Sequence, residues 1–330
     1  MNGFLLKIIF IYQKNSNLTL MAINFLYFLV FPGLLFLAIT GGFLSWFDRK
    51  ITARVQFRKG PPLLQPFYDF FKLLLVKETI LPKHGSQLIF LLAPIFAVFG
   101  ATMAGVFILL PLLNITSGFR GDLLVIFYLL TIPSFSYIIG ALASGNPLAA
   151  VGGSREMKLI IAYELTFLLF IAGIIMKCGQ QFELYAIIKT QQEVSPFIGS
   201  ISGVILFIVG IFCIQAKLAL VPFDMPEAET EITEGIFIEY SGAAYALIKL
   251  AKYIMFFILP ALLIALLMNG VVPEGIHILW AVLKLLAVVL VITLIRNTNP
   301  RVKIKQAIRF FAVWMNLFAV LALILIAFGY

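Results

Sequence analysis

Soft ligands are nearly missing from this chain: two cysteines and two histidines stand among 330 residues. Cys178 and Cys213 lie far apart and make no CxxC pair, so they read as small apolar residues within helices. An iron–sulfur cluster normally takes four thiolates, and His84 and His277 add little. No cofactor and no metal is therefore expected on this chain, and any redox centre must sit on another one. Charge is scarce too. Asp, Glu, Lys and Arg make up 12% of the residues, about half the usual share in soluble domains. With 62% hydrophobic residues and a mean hydropathy of +1.07, a soluble enzyme is excluded, because no soluble fold could hide so much apolar surface. The formal net charge of +9 lies largely in short loops, where membrane topology accounts for it. Nucleic acid is not an expected partner; the lipid bilayer is.

Long apolar runs dominate what is present. Met21–Phe47, Gly85–Phe119, Leu123–Ser154, Val194–Ala216 and Phe310–Tyr330 carry no Asp, Glu, Lys or Arg. Three more runs are apolar but hold charges: Leu159–Met176 with Glu164, Phe237–Leu267 with Glu239, Lys249 and Lys252, and Ile276–Ile295 with Lys284. A helix needs roughly 20 apolar residues to cross a hydrocarbon core of about 30 Å. The fold class is thus an all-α polytopic membrane protein with about eight transmembrane helices in one domain, residues 21–330. Residues 1–20 form an N-terminal extension of unsettled status. Its segment Phe4–Tyr12 is too short to span and lacks a small-residue cleavage site, leaving an interfacial segment or a start at Met21.

Basic residues set the orientation. Arg49, Lys50, Arg54, Arg58 and Lys59 follow the first span, Arg155 and Lys158 the third, and Arg296, Arg301, Lys303, Lys305 and Arg309 the seventh. The alternate connections hold few. Odd-to-even loops are therefore expected in the cytoplasm, with both ends of the bundle, including the C-terminus, outside. Within the first loop, PFYDFFKLLLVKE (66–78) sets Phe67, Phe70, Phe71, Leu74 and Leu75 at helical spacing opposite Asp69, Lys72 and Lys77. A helix this short and two-faced is expected to lie in the membrane surface on the cytoplasmic side. It serves either as a plain anchor or as a platform for a partner.

The connection PFDMPEAETEITEGIFIEYSG, Pro222–Gly242, gathers Asp224, Glu227, Glu229, Glu231, Glu234 and Glu239. If partly helical, it would set Glu227, Glu231 and Glu234 on one face at i, i+4 and i+7. Like charges so close raise carboxyl pKa values towards the range where protons are held and released. An ordinary solvated loop is the alternative. Glu164 lies about six residues inside its expected span, where a charge costs about 2.5–3.5 kcal/mol even on a lenient scale. Glu156, eight residues earlier, is either a helix-start residue or part of the same polar path. Lys249 and Lys252 share a face and can snorkel. Lys284 sits mid-span without an evident partner, whereas Lys217 reads as an interface anchor. Gly235 and Gly242 suit close backbone approach near Glu239.

Several stretches resemble one family, the H-type membrane subunits of NADH–quinone oxidoreductase (respiratory complex I). They are RKGPPLLQPFYDFFKLLLVKE, GGSREMKLIIAYEL with its Tyr163–Glu164 pair, the acidic connection itself, and RNTNPRVKIKQAIRFFAVW with Pro300, Arg301, Gln306 and Trp314. Quinone-reducing members carry a longer motif before Leu-Gln-Pro. Here Gly60-Pro61-Pro62 runs straight into Leu63-Leu64-Gln65-Pro66, which resembles the membrane subunit of group 4 energy-converting [NiFe] hydrogenases and related ferredoxin-dependent complexes.

This resemblance implies a non-redox membrane subunit that couples electron transfer in a docked module to proton or sodium translocation in a prokaryotic cell membrane. The implied partners are hydrogenase-like large and small iron–sulfur subunits, which would hold [4Fe-4S] clusters and a NiFe site, and antiporter-like membrane subunits. The implied ion path takes in Glu156, Glu164, Asp224, Glu227, Glu229, Glu231, Glu234, Glu239, Lys249, Lys252 and Lys284. Arg49, Arg54, Arg58, Gln65, Asp69, Lys72 and Arg155 would meet the soluble arm. Two other readings stand beside it: a quinone-site membrane component of NADH–quinone oxidoreductase, and a stand-alone cation transporter.

Overall fold

The structure, a computed structural model, describes residues 25–115, 118–119, 121–271 and 275–329, apart from the side chains of Glu229 and Thr230. The extension 1–20 lies outside the described residues. All regular structure among the described residues is helical. Among the described residues seven helices are long and apolar enough to cross a membrane, and the shorter apolar helix Ile201–Lys217 lies where the fifth span is expected.

In chain order, α1 is Leu34–Val55, α2 Gln65–Phe71, α3 Gln87–Leu112, α4 Asp122–Leu129 and α5 Ile132–Ala143. After these come α6 (Pro147–Lys177), α7 (Leu184–Glu193), α8 (Ile201–Lys217), α9 (Gly242–Leu267) and α10 (His277–Thr298). The last span, Ile304–Ala327, comprises α11 (Ile304–Arg309), a π-helical stretch Phe310–Met315 and α12 (Asn316–Ala327). The axis of the bundle is α9. From Tyr253 to Leu267 it is buried on every face, as a helix apolar all round should be. It packs against α1 and α3, and α3 packs in turn on α5. Helix α6 contacts α5, α8 and the last span. On the periphery, α10 and the last span expose Leu279, Trp280, Leu317 and Phe318, a surface suited to lipid tails.

The run 123–154 does not form one span. It breaks after Ala143, and α6 starts at Pro147 with Asn146 as its cap, the Asn146 side chain accepting from Leu148 N at 2.8 Å. A residue before proline is disfavoured in the helical region, and Asn is a good cap. The fourth span therefore begins twelve residues before the expected Leu159. Glu164 lies about 25 Å along it rather than near its start, and Glu156 about 14 Å along, where it cannot cap.

The surface helix is present, but its polarity differs from expectation. Asp69 points towards the bundle, where it takes Arg49 Nη1 at 2.9 Å, while Tyr68, Leu75 and Val76 face outward. The helix widens into a π turn over Lys72–Val76, which shifts the faces of its second half. Phe67 seats on Gly42, where a Cβ would come within 2.7 Å of its ring. Likewise Gly152 of α6 meets the main chain of the acidic connection, with a Cβ site 2.6 Å from Ile236 N.

Replacing Gly152 with alanine should lower stability by about 1–3 kcal/mol, as overpacking does, because backbone rather than a flexible side chain opposes it. Gly153→Ala, whose Cβ would stand 3.6 Å from Ala141, should be close to neutral. Thermal unfolding of the two variants measures the contrast.

Candidate functional site

The acidic connection starts where α8 ends. Gln215 Nε2 donates to Val221 O at 2.6 Å, Val302 N donates to Pro222 O at 3.2 Å, and Arg301 Nε meets Asp224 Oδ2 at 2.7 Å. Burial pushes the Asp224 carboxyl above its ordinary range, against the pull of the Arg301 charge. A short 3-10 turn, Met225–Glu227, leads to a helical turn, Glu229–Ile232, and then Thr233, Glu234 and Gly235 take positive φ of 45°, 67° and 49°. That left-handed run reverses the chain. The expected acidic face therefore does not form. Glu227 Oε2 meets Lys252 Nζ at 2.6 Å, Glu231 Oε2 meets Arg155 Nη1 at 2.6 Å, and Glu234 is exposed. The Glu229 side chain lies outside the described residues. Separate cations have drawn the acids apart.

Behind this cap is a cavity of about 160 Å³, walled by α1, α5, α6, α9, the end of α8 and the connection itself. At its mouth stands the half-buried Glu227–Lys252 pair, with Lys252 Nζ 4.3 Å from the centre of the Phe237 ring. Deeper, it is lined by Tyr137, Glu156, Lys217 and Tyr253. Tyr137 Oη, Glu156 Oε2, Lys217 Nζ and Tyr253 Oη are all buried without a hydrogen-bond partner. Buried polar atoms in native proteins are rarely left so, and four sharing one hollow mark a place built for mobile polar occupants. A few waters, at about 30 Å³ each, fit this volume.

Lys217 overturns its reading as an interface anchor. It is buried, 6% exposed, and its ammonium lies over the faces of Phe127, Tyr163 and Phe167 at 5.6, 5.3 and 5.1 Å. Desolvated cation–π contacts are worth about 2 kcal/mol or more, yet they leave the head free of any acceptor. Its electrostatic partners are Glu164 and Glu156, both on α6. The two carboxylates are eight residues apart, about 12 Å along the helix, and Glu164 is half-buried. Sequence reasoning passed over Lys217, Tyr137 and Tyr253 because the rings and carboxylates around them come from other helices.

The other expected residues fall outside the cavity. Glu239 precedes α9 instead of starting the span within it, and its Oε1 accepts from Asn146 Nδ2 at 2.6 Å. Lys249 lies 4.9 Å over Tyr245. Lys284 has a partner after all: it donates to Met268 O at 2.7 Å, closing the C-terminal end of α9. Of the expected contact residues, Asp69 takes Gln65 Nε2 at 2.8 Å besides Arg49. Burial raises its carboxyl, but the Arg49 and Gln65 hydrogen bonds and the Arg49 charge outweigh that and hold it below the ordinary range. Arg54, Arg58 and Lys72 are exposed. One ion pair on a buried carboxylate went unnoticed in the sequence: Asp48, just after the first apolar run, meets the partly exposed Arg296 Nη1 at 2.5 Å and Thr293 Oγ1 at 2.9 Å.

A family model described as NADH dehydrogenase matches residues 25–327. The H subunit of NADH-quinone oxidoreductase from Brevibacillus brevis is 33% identical over 303 residues, covering 85% of this chain and 87% of that protein. The protein of the same name from Geobacillus thermodenitrificans is 32% identical, covering 84% and 87%. Among solved structures, a chain of the membrane-bound sulfane sulfur reductase, an archaeal respiratory membrane complex, matches with a TM-score of 0.81 and 27% identity over 89% of this chain and 96% of that one.

Asp69→Ala should release the surface helix by on the order of 1 kcal/mol, the scale of a partly exposed ion pair. Hydrogen exchange would quicken over residues 65–76 while α9 keeps its protection.

Proposed function

The chain belongs to the NADH dehydrogenase family, among its H-type membrane subunits, and on that premise we propose that it couples electron transfer in a docked module to ion movement through the polar cavity. It is a multi-pass membrane component of a complex I-like assembly. The observation that carries the reading is the gathering of Tyr137, Glu156, Lys217 and Tyr253, with buried polar atoms short of hydrogen-bond partners, behind the Glu227–Lys252 pair. A proton arriving at Glu227 loosens its bond to Lys252 and passes by way of water to Glu156. In a low-dielectric interior, charges several ångströms apart interact strongly. Neutralising Glu156 therefore removes part of what balances the Lys217 ammonium, and the two groups titrate as one system. Glu164 offers the next station, on the far side of Lys217 towards neighbouring membrane subunits.

On this reading the basic and acidic loops face the cytoplasm and the C-terminus lies outside, so that Arg54, Gln65, Lys72 and Arg155 meet the soluble arm; of the other three residues expected there, Arg49 and Asp69 pair with each other and Arg58 lines a separate basic hollow. We assign that arm to the hydrogenase or ferredoxin-dependent type, with its [4Fe-4S] clusters and NiFe site on the partner subunits and antiporter-like chains alongside. The compact Gly60–Pro66 segment and the similarity to a chain of the sulfane sulfur reductase complex support this assignment. A quinone-reducing complex is the second reading, favoured by the names of the curated relatives. Nickel in the purified complex would support the hydrogenase type; quinone reduction without nickel would replace it with the second reading.

Glu156→Gln and Lys217→Met, made in the intact complex and tested in proteoliposomes, should each cut ion pumping on the order of tenfold or more while the complex still assembles. Normal pumping in both variants would refute the proposed path.

A further inference from the structure

Two further hollows lie along α1. The larger, about 590 Å³, opens between α1, α9, α10 and the end of α3, and its lining, which includes Phe43, Phe47, Ala261, Ala281 and Leu285, is almost wholly apolar. The other, about 350 Å³, lies at the loop end of α1 and is ringed by Arg49, Arg58, Lys59 and Arg296 with Thr52 and Pro61. Trp46 joins the two. Its ring lines the apolar hollow, and its Nε1 donates at 3.2 Å to the carbonyl of Pro61, which lines the basic one. Arg49 is balanced by Asp69 and Arg296 by Asp48. Arg58 and Lys59 have no acidic partner among the described residues, so the basic hollow keeps surplus positive charge.

From the end of the bundle inward, the order is cations, a hydrogen-bonding indole, then an apolar trough within the spans. A phospholipid presents the complementary order: phosphate, polar glycerol esters, acyl chain. We propose that this is a binding site for an anionic phospholipid, with one acyl chain in the trough between α1 and α10 and the headgroup phosphate against Arg58 and Lys59, flanked by Arg49 and Arg296. The trough follows α1 from Phe36 to Phe47, about 16 Å. Basic pockets at helix ends on the membrane border suit anionic headgroups, each cation contributing about tenfold or less in preference. This site is separate from the polar cavity and does not depend on the ion path.

The test uses the intact complex in phosphatidylcholine nanodiscs doped with a photoactivatable phosphatidylglycerol or with a phosphatidylcholine analogue of the same acyl chain. The phosphatidylglycerol probe should label peptides of α1 and α10 on the order of tenfold more than the neutral probe. The double variant R58Q/K59Q should bring the two to parity, and Ala281→Phe should reduce labelling by both. Equal labelling of the unaltered complex by the two probes would overturn the site, as would a preference that survives R58Q/K59Q. Displacement of the lipid probe by inorganic phosphate would show a simple anion pocket instead. Loss of a soluble subunit from R58Q/K59Q with the lipid preference intact would show a protein-docking surface. Either result rejects the proposal.

Discussion

A protein surrounded by lipid has no solvent to spare for its inner charges, so each must be balanced by the fold itself. Lys217 is where that constraint presses hardest. Its ammonium is held by three aromatic faces and by carboxylates at a distance, with nothing to accept its protons. An amine so placed responds to any change in the charge of Glu156 or Glu164, because no local hydrogen bond buffers it. Around this one residue the neighbouring helices are arranged: α6 brings both acids and Tyr163, while α4 brings Phe127.

The acidic connection has a different physics. Its charges are met one by one, Asp224 by Arg301, Glu227 by Lys252 and Glu231 by Arg155. The resulting cap is stitched to α6, α9 and the loop before the last span. Only Glu227 of these acids also lines the cavity. Among the described side chains of the connection, Glu227 is the acid that reaches the polar interior, while Asp224 is buried against Arg301.

Much of the fold was legible because hydropathy and length alone mark a spanning helix. The misreadings have local causes. The start of α6 was hidden in a charge-free run, although Asn146-Pro147 carried the signal for a break and a cap. The shared face of Glu227, Glu231 and Glu234 failed because Thr233 and Glu234 adopt left-handed backbone, which helical spacing cannot foresee. Lys284 found a carbonyl sixteen residues earlier, at the end of another helix. Lys217 was illegible for a deeper reason: a cation and its cage drawn from α4, α6 and α8 leave no pattern in any one of them. By contrast, Glu164 could be picked out, since a carboxylate inside an apolar run stands out by cost alone; Glu156, expected near a helix start, joined it only through its helical spacing from Glu164.

The tie between Val302 N and Pro222 O, reinforced by Arg301 and Asp224, makes the C-terminal helices more than lipid-facing staves. Arg296 grips Asp48 on the first span only a few residues upstream. The two arginines thus form a buckle that fastens the opening helix, the cap and the closing helix at one end of the barrel of spans. A tug on any of the three would be felt by the other two, without a signal having to cross the bilayer.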